Sequence, residues 1–369
     1  MIISRTPFRI SFFGGGTDYP AWYRKHSGAV LATTIDKYCY ISCRYLPPFF
    51  EHKFCLIYSK MEFCQTIDEI AHPAAREVLR FMECHRGIEL HHDGDLPARS
   101  GMGTSSAFTV GLLHAMHALQ GSMPSKRTLA EQSIHLEQDI LKETVGSQDQ
   151  ALAAHGGLNR INFLPNGEIS VTPITVSIDR IRELNSHLML FYTGIKRTAS
   201  DVAQSYVDDI DTKRRQLRLM KELVDESVSI LNSKDDIKGF GELLHEAWQA
   251  KRSLSAKVSN PEVDNLFEAA RSGGAIGGKL TGAGGGGFLL LFVPPSQQAA
   301  VKDRLRGLIH VPFSFEFLGS QVIFCDREQD YQDEELCRNR GEIKPFRELV
   351  TKPPSPELDD AIASNGGRG

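Results

Sequence analysis

Apolar and polar positions alternate from Arg5 to Phe13 with the two-residue period of a half-buried strand, and the alternation breaks at Gly14-Gly15-Gly16. From Ala107 to Leu119 the residues are apolar almost all round, which predicts a buried helix ended by Gln120-Gly121. A helical period runs again from Thr128 to Val145, with Ile134, Leu141 and Val145 on its apolar face. Residues 169–176 and 188–192 read as strands, 199–232 and 236–258 as long helices, and 261–272 as a shorter one. Gly287–Val293 reads as a central strand stopped by Pro294-Pro295. The pattern predicts an N-terminal half over 1–165, a C-terminal half over 166–325, and an extension over 326–369 that turns charged and then Pro-rich.

Two glycine-rich stretches stand out against this pattern: Asp95-Leu-Pro-Ala-Arg-Ser-Gly-Met-Gly-Thr-Ser-Ser-Ala107 and Lys279-Leu-Thr-Gly-Ala-Gly-Gly-Gly-Gly287. A small-residue loop feeding a helix gathers unpaired N–H groups at the positive end of the helix dipole, where phosphate binds. Neither stretch is a Walker A loop. No Gly-Lys-[Ser/Thr] closes the first, and in Gly273-Gly-Ala-Ile-Gly-Gly-Lys279 the next residue is Leu280. Either loop alone reads as a flexible turn; the two together point to a nucleotide triphosphate.

Glu137 falls on the apolar face of the Thr128–Val145 pattern, where a carboxylate needs a partner, either Mg2+ or a nearby Lys or Arg. Asp149 follows Gly146-Ser-Gln and sits at a loop-to-helix junction, as a helix cap or as the group that takes a substrate hydroxyl's proton. Asp18, after Gly14-Gly15-Gly16-Thr17, reads as a turn residue or as a fixed acceptor for a hydroxyl-rich ligand. His114 and His117 lie one turn apart with no third ligand nearby, so they read as core or surface histidines.

Composition narrows this further. At 369 residues the chain is long enough for two cores, and a net charge of −4 gives no electrostatic case for nucleic acid. Seven cysteines, an odd number without Cys-x-x-Cys, point to a reducing compartment and buried thiols. No apolar stretch has the length of a membrane span and no signal-peptide core opens the chain, so a cytoplasmic protein is expected.

Three blocks in this order, Pro7–Tyr19, Pro97–Ser106 and Lys279–Gly287, resemble the GHMP superfamily of small-molecule kinases (galactokinase, homoserine kinase, mevalonate kinase, phosphomevalonate kinase) over roughly residues 1–325. The resemblance implies an α+β fold with a ribosomal-protein-S5-like N-terminal half and a ferredoxin-like C-terminal half. It implies ATP and Mg2+ as cofactors. Pro97, Ser100, Gly101, Met102, Gly103, Thr104, Ser105 and Ser106 would then surround the ATP phosphates. Glu137 and Ser105 would hold the metal, with Ser106 as the alternative hydroxyl. Asp149 would be the catalytic carboxylate and Arg9 the basic residue that helps lower the attacking hydroxyl's pKa. Gly15, Gly16, Thr17 and Asp18 would bind the substrate, and Gly282, Gly284 and Gly285 would shape the site from the other half.

Gly14-Gly-Gly-Thr-Asp-Tyr-Pro20 and Gly146-Ser-Gln-Asp-Gln150 are most similar to the sugar-1-kinase branch. That similarity implies a sugar phosphate as the partner, D-glycero-D-manno-heptose 7-phosphate foremost, phosphorylated at the anomeric hydroxyl. Arg197 and Lys251 are the candidate cations for its existing phosphate, the bland alternative being solvated basic residues. A fucose- or galactose-like substrate, or a catalytically silent sugar sensor, are the alternative readings. A homodimer is possible. A serine hydrolase with Ser105 as nucleophile lacks the strand that an elbow requires.

Overall fold

The structure, a computed structural model, describes residues 1–195, 199–326 and 331–347. Its N-terminal strands are β1 (Ile2–Phe13), β2 (Gly28–Tyr45), β3 (Phe54–Ile57), β4 (Met61–Cys64), β5 (Ile88–Gly94), β6 (Asn159–Phe163) and β7 (Ile169–Pro173). The C-terminal ones are β8 (Leu188–Tyr192), β9 (Gly277–Leu280), β10 (Phe288–Phe292), β11 (Ile309–His310), β12 (Phe315–Glu316) and β13 (Gln321–Cys325).

The larger sheet runs β13-β1-β2-β5-β3-β4, and β2 is long enough to pair β5 through its second half and β6 through its first. The helix Thr104–Leu119 lies against β1 and β2. Its Gly111 lets it come close, since a Cβ there would sit 2.9 Å from Thr6 Oγ1, and Ser4 Oγ donates to Gly111 O at 2.8 Å. The N-terminal sheet continues past residue 165 through β7, and it recovers β12 and β13 from the far end of the chain.

The smaller sheet has the antiparallel order β11-β8-β10-β9. Its helices and strands follow one another as β-α-β-β-α-β, with the first and third strands in the middle, which is the ferredoxin-like arrangement. β10 is central and fully buried, as a run of Phe-Leu-Leu-Leu-Phe requires.

Two helices depart from their sequence patterns. The predicted Thr128–Val145 helix is α-helical only over Lys126–Ile134 and then widens into a π-helical turn, His135–Ile140. Leu141 N bonds back to Leu136 O at 2.8 Å, and both Leu136 and Glu137 face inward as a result. Residues 141–147 are then extended loop rather than helix. The pattern over 199–232 likewise splits into Ala199–Val207, a 3-10 turn Ile210–Lys213 and Arg214–Asn232. Of the extension, Gln332–Asn339 is a helix fastened to the N-terminal half by a Lys53–Glu335 ion pair of 2.6 Å, and residues 348–369 lie outside the described residues. All seven cysteines are free thiols, five of them buried.

Candidate active site

The glycine loops that the sequence separates by almost two hundred residues touch each other. A Cβ on Gly101 would lie 2.7 Å from Thr281 O, and one on Gly282 would lie 2.6 Å from Gly101 Cα. Both glycines have positive φ (78° and 67°), so no other residue fits either position without strain. Beside this junction is a cavity of about 300 Å3, lined by Arg9, Asp18 and Asp149 from the N-terminal half and by Tyr206, Lys251 and Lys279 from the C-terminal half. A larger cavity of about 500 Å3 opens between Tyr45, Met116 and Leu336, but it gathers none of these charges, so the smaller one carries the chemistry.

Arg9, near the end of β1, reaches across to Asp149 in the first turn of the Gln148–His155 helix. Its Nε and Nη2 each donate to a different Asp149 carboxylate oxygen at 2.6 Å, while Nη1 donates to Gly101 O at 2.7 Å. The guanidinium therefore clamps the carboxylate bidentately and ties it to the first glycine loop. Arg9 is almost fully buried, whereas the Asp149 side chain keeps 23% exposure toward the cavity.

The N-terminus of the Thr104–Leu119 helix opens on the same space. Gly103 caps it in the left-handed region, and Gly103, Thr104, Ser105 and Ser106 all line the cavity, with the first-turn N–H groups free of intrahelical partners. Of the two hydroxyls weighed for a metal, Ser105 is exposed, whereas Ser106 is buried and donates to Glu137 Oε2 at 2.8 Å. Glu137 is wholly buried, and Gln150 Nε2 donates to the same oxygen at 2.5 Å. Burial pushes its carboxyl up to about 7, against those two hydrogen bonds. Oε1 is buried without a hydrogen-bond partner among the described residues.

The donor chemistry of this corner fits Mg2+, because its donors are hard oxygens and Oε1 is unpartnered among the described residues; of the pair, Ser106 lines the cavity and Glu137 lies behind it. Among the described residues no cluster of His, Cys, Asp and Glu could hold a metal alone, so an ion here would share Glu137 and Ser106 with ligand phosphate oxygens.

Asp18 is buried and accepts from Gly16 N at 2.9 Å; burial pushes its carboxyl up against that bond, and the charge of Asp149 adds to the push. Gly146 has to be glycine, since a Cβ would fall 1.8 Å from Asp18 Oδ2. Gly15 and Gly16 line the cavity, whereas Thr17 braces the loop by donating to Gly14 O and Ala29 O. Gly284 and Gly285 do not line it: they pack against Val258, whose carbonyl accepts from Gly285 N at 2.8 Å. Pro97, Ser100 and Met102 do not line the cavity: Pro97 is exposed, while Ser100 and Met102 are buried, with Met102 O accepting from Arg9 N.

Lys251 lies in the last turn of Lys238–Arg252, donates to Gly282 O and lines the cavity. Burial and then the nearby Arg9 charge lower its pKa to about 8. Arg197 lies outside the described residues.

Sequence reasoning missed several wall residues. Tyr19 and Tyr206 meet edge-to-face at 6.0 Å and close one side from opposite halves. Thr144, on the loop after the π turn, donates to Gln204 at 2.6 Å and bridges the halves. Lys279 donates to Ser11 O at 2.8 Å and Phe12 O at 2.9 Å. Its signal was present in the sequence as one charged residue in the otherwise small and apolar β9.

Comparison with known proteins points to one family of kinases. The family model "GHMP kinases N terminal domain" matches residues 69–157 and "GHMP kinases C terminal" matches 220–309. The chain is 28% identical over 297 residues to D-glycero-alpha-D-manno-heptose 7-phosphate kinase of Campylobacter jejuni, covering 77% of this chain and 86% of that protein. It is 24% identical to galactokinase of Pyrococcus furiosus, again over 77% of this chain and 86% of the relative. Among solved structures, a D-glycero-D-manno-heptose 1-phosphate kinase from Bacteroides thetaiotaomicron superposes with a TM-score of 0.73 at 22% identity, over 89% of this chain and all of the other.

Proposed function

Since the chain belongs to the GHMP kinases and is a phosphotransferase, we propose that it moves the γ-phosphate of ATP to the anomeric hydroxyl of a sugar phosphate, most specifically D-glycero-D-manno-heptose 7-phosphate. The observation that carries this reading is the Arg9–Asp149 clamp, partly open to a cavity that the phosphate-loop helix and Asp18 also face. Phosphoryl transfer needs positioning and charge stabilisation more than covalent help.

Asp149 accepts a hydrogen bond from the attacking hydroxyl and takes its proton as the new O–P bond forms and the bond from the γ-phosphorus to the bridging oxygen breaks, releasing ADP. Arg9 holds that carboxylate in place and supplies positive charge beside the transfer. Free N–H groups at Thr104–Ser106 cradle the ATP phosphates. Mg2+, held by Glu137 and the Ser106 hydroxyl, would neutralise phosphate charge when bound. Asp18 fixes a sugar hydroxyl, and Lys251 faces the substrate's own phosphate. ATP and a phosphorylated sugar place the reaction in the cytoplasm; among the described residues no helix is long and apolar enough to cross a membrane.

The test is ADP release with Mg-ATP across D-glycero-D-manno-heptose 7-phosphate, mannose, fucose, galactose and mevalonate. Turnover of the heptose phosphate is expected. Turnover of mevalonate alone would overturn the sugar assignment.

A further inference from the structure

We propose that Ser11 and Gln148 form a polyol-reading floor in the active-site cavity, each hydrogen-bonding a substrate hydroxyl other than the one phosphorylated, with Lys279 as the residue that positions Ser11. The inference rests on the sugar-kinase reading above and adds the residues that choose among alcohols.

Three observations meet at this spot. Ser11 and Gln148 both line the cavity and are only 6% and 8% exposed, yet Ser11 Oγ and Gln148 Oε1 have no hydrogen-bond partner among the described residues. Buried polar atoms left unpaired are unfavourable, so a ligand or solvent group that completes them is selected strongly. The Gln148 carbonyl oxygen is an acceptor only. Ser11 can donate or accept.

The two side chains flank one point. A Cβ built on Gly15 would lie 3.6 Å from Ser11 Oγ and 3.8 Å from Gln148 Nε2. Glycine at 15 is not demanded by the backbone, since its φ is outside the left-handed region, nor by packing, since both distances are ordinary contacts. What a side chain there would occupy is the space between the Ser11 hydroxyl and the Gln148 amide.

Lys279 explains why Ser11 stays put. Its ammonium, lowered well below the usual lysine range by burial, bonds the carbonyls of Ser11 and Phe12 from the opposite half of the molecule. Lys279 itself also lines the cavity. The floor therefore offers an acceptor and a hydroxyl within one patch, a match for vicinal hydroxyls. An alcohol that offers only its reacting hydroxyl would leave the patch unpaired and be rejected.

The experiment is steady-state kinetics of Ser11→Ala, Gln148→Leu and Gly15→Ala with D-glycero-D-manno-heptose 7-phosphate and Mg-ATP, alongside melting temperatures. Lys279 is left intact, because replacing it would strand two buried carbonyls. Each variant is expected to raise KM for the heptose phosphate about tenfold, the worth of one hydrogen bond to the ligand, with KM for ATP unchanged. Gly15→Ala is expected to do so without a lower melting temperature, which separates a ligand effect from a folding effect. Unchanged sugar KM in all three, with an active wild type, would overturn the floor and leave the kinase reading standing. A parallel rise in KM for ATP would overturn it too, as the sign of a structural role. Wild-type silence on every sugar tested would overturn both.

Discussion

Arg9 and Asp149 neutralise each other through two 2.6 Å bonds, whereas Glu137 sits fully buried with neutral donors, Ser106 and Gln150, on its carboxylate. The first corner is complete in the protein alone, and its role is to hold one carboxylate at a fixed angle toward the cavity. The second is incomplete, with a buried oxygen unpaired and a carboxyl pushed up to about 7 by burial. On the reading proposed above, the charges that work on the substrate preorganise each other, while Glu137 is left for a cation to complete.

The largest effect is expected at the complete corner. Asp149→Asn keeps a hydrogen-bonding partner for Arg9 but removes the proton acceptor, so kcat should fall by about 10^2- to 10^4-fold with nucleotide binding retained. Wild-type turnover in that variant would break the contrast at its stronger end.

At the incomplete corner, Glu137→Gln should lower kcat by about 10- to 100-fold at limiting Mg2+. It should also make the metal-free protein more stable, because a buried charge is gone; a drop in melting temperature would mean that the charge already has a partner. The pH dependence follows the same logic. An acid whose folded pKa is raised binds its proton more tightly when folded, so its stabilising effect is full below the unfolded value of 4.5 and is lost as pH climbs through about 7. The wild-type melting temperature should therefore fall over that window without metal and flatten with saturating Mg2+.

Lys251 gives a smaller and more graded effect. It loses its charge as pH rises through about 8, so KM for a phosphorylated sugar should rise several-fold above that pH. Lys251→Arg should remove this pH dependence. The smallest effect is expected at Ser105: with its side chain exposed, Ser105→Ala should change kcat by less than about threefold, whereas Ser106→Ala should match the loss in Glu137→Gln. The reverse ranking would move the metal corner onto Ser105.

Local pattern made much of this legible. β1, the Thr104–Leu119 helix, the buried position of Glu137 and the central β10 all followed from period and composition, because each is decided within a dozen neighbouring residues. Pairing across the chain was not legible. The Arg9–Asp149 clamp joins residues 140 apart, and β12 and β13 return to a sheet begun some three hundred residues earlier. Nor does a 3.6-residue period announce a π turn, so the Thr128–Val145 pattern ran straight through the place where the helix widens at His135–Ile140. Tyr19, Tyr206 and Ser11 look like ordinary core or surface residues until the two halves face each other.

The most direct test of phosphoryl transfer through the Arg9–Asp149 clamp is a single-turnover reaction of wild type and Asp149→Asn with Mg-ATP and D-glycero-D-manno-heptose 7-phosphate, followed by phosphorus NMR of the product. A second phosphate on the anomeric oxygen, formed by the wild type and absent with an Asp149→Asn protein that still binds ATP, is the expected result. The same product at the wild-type rate from Asp149→Asn, or a phosphate on another oxygen, would contradict it.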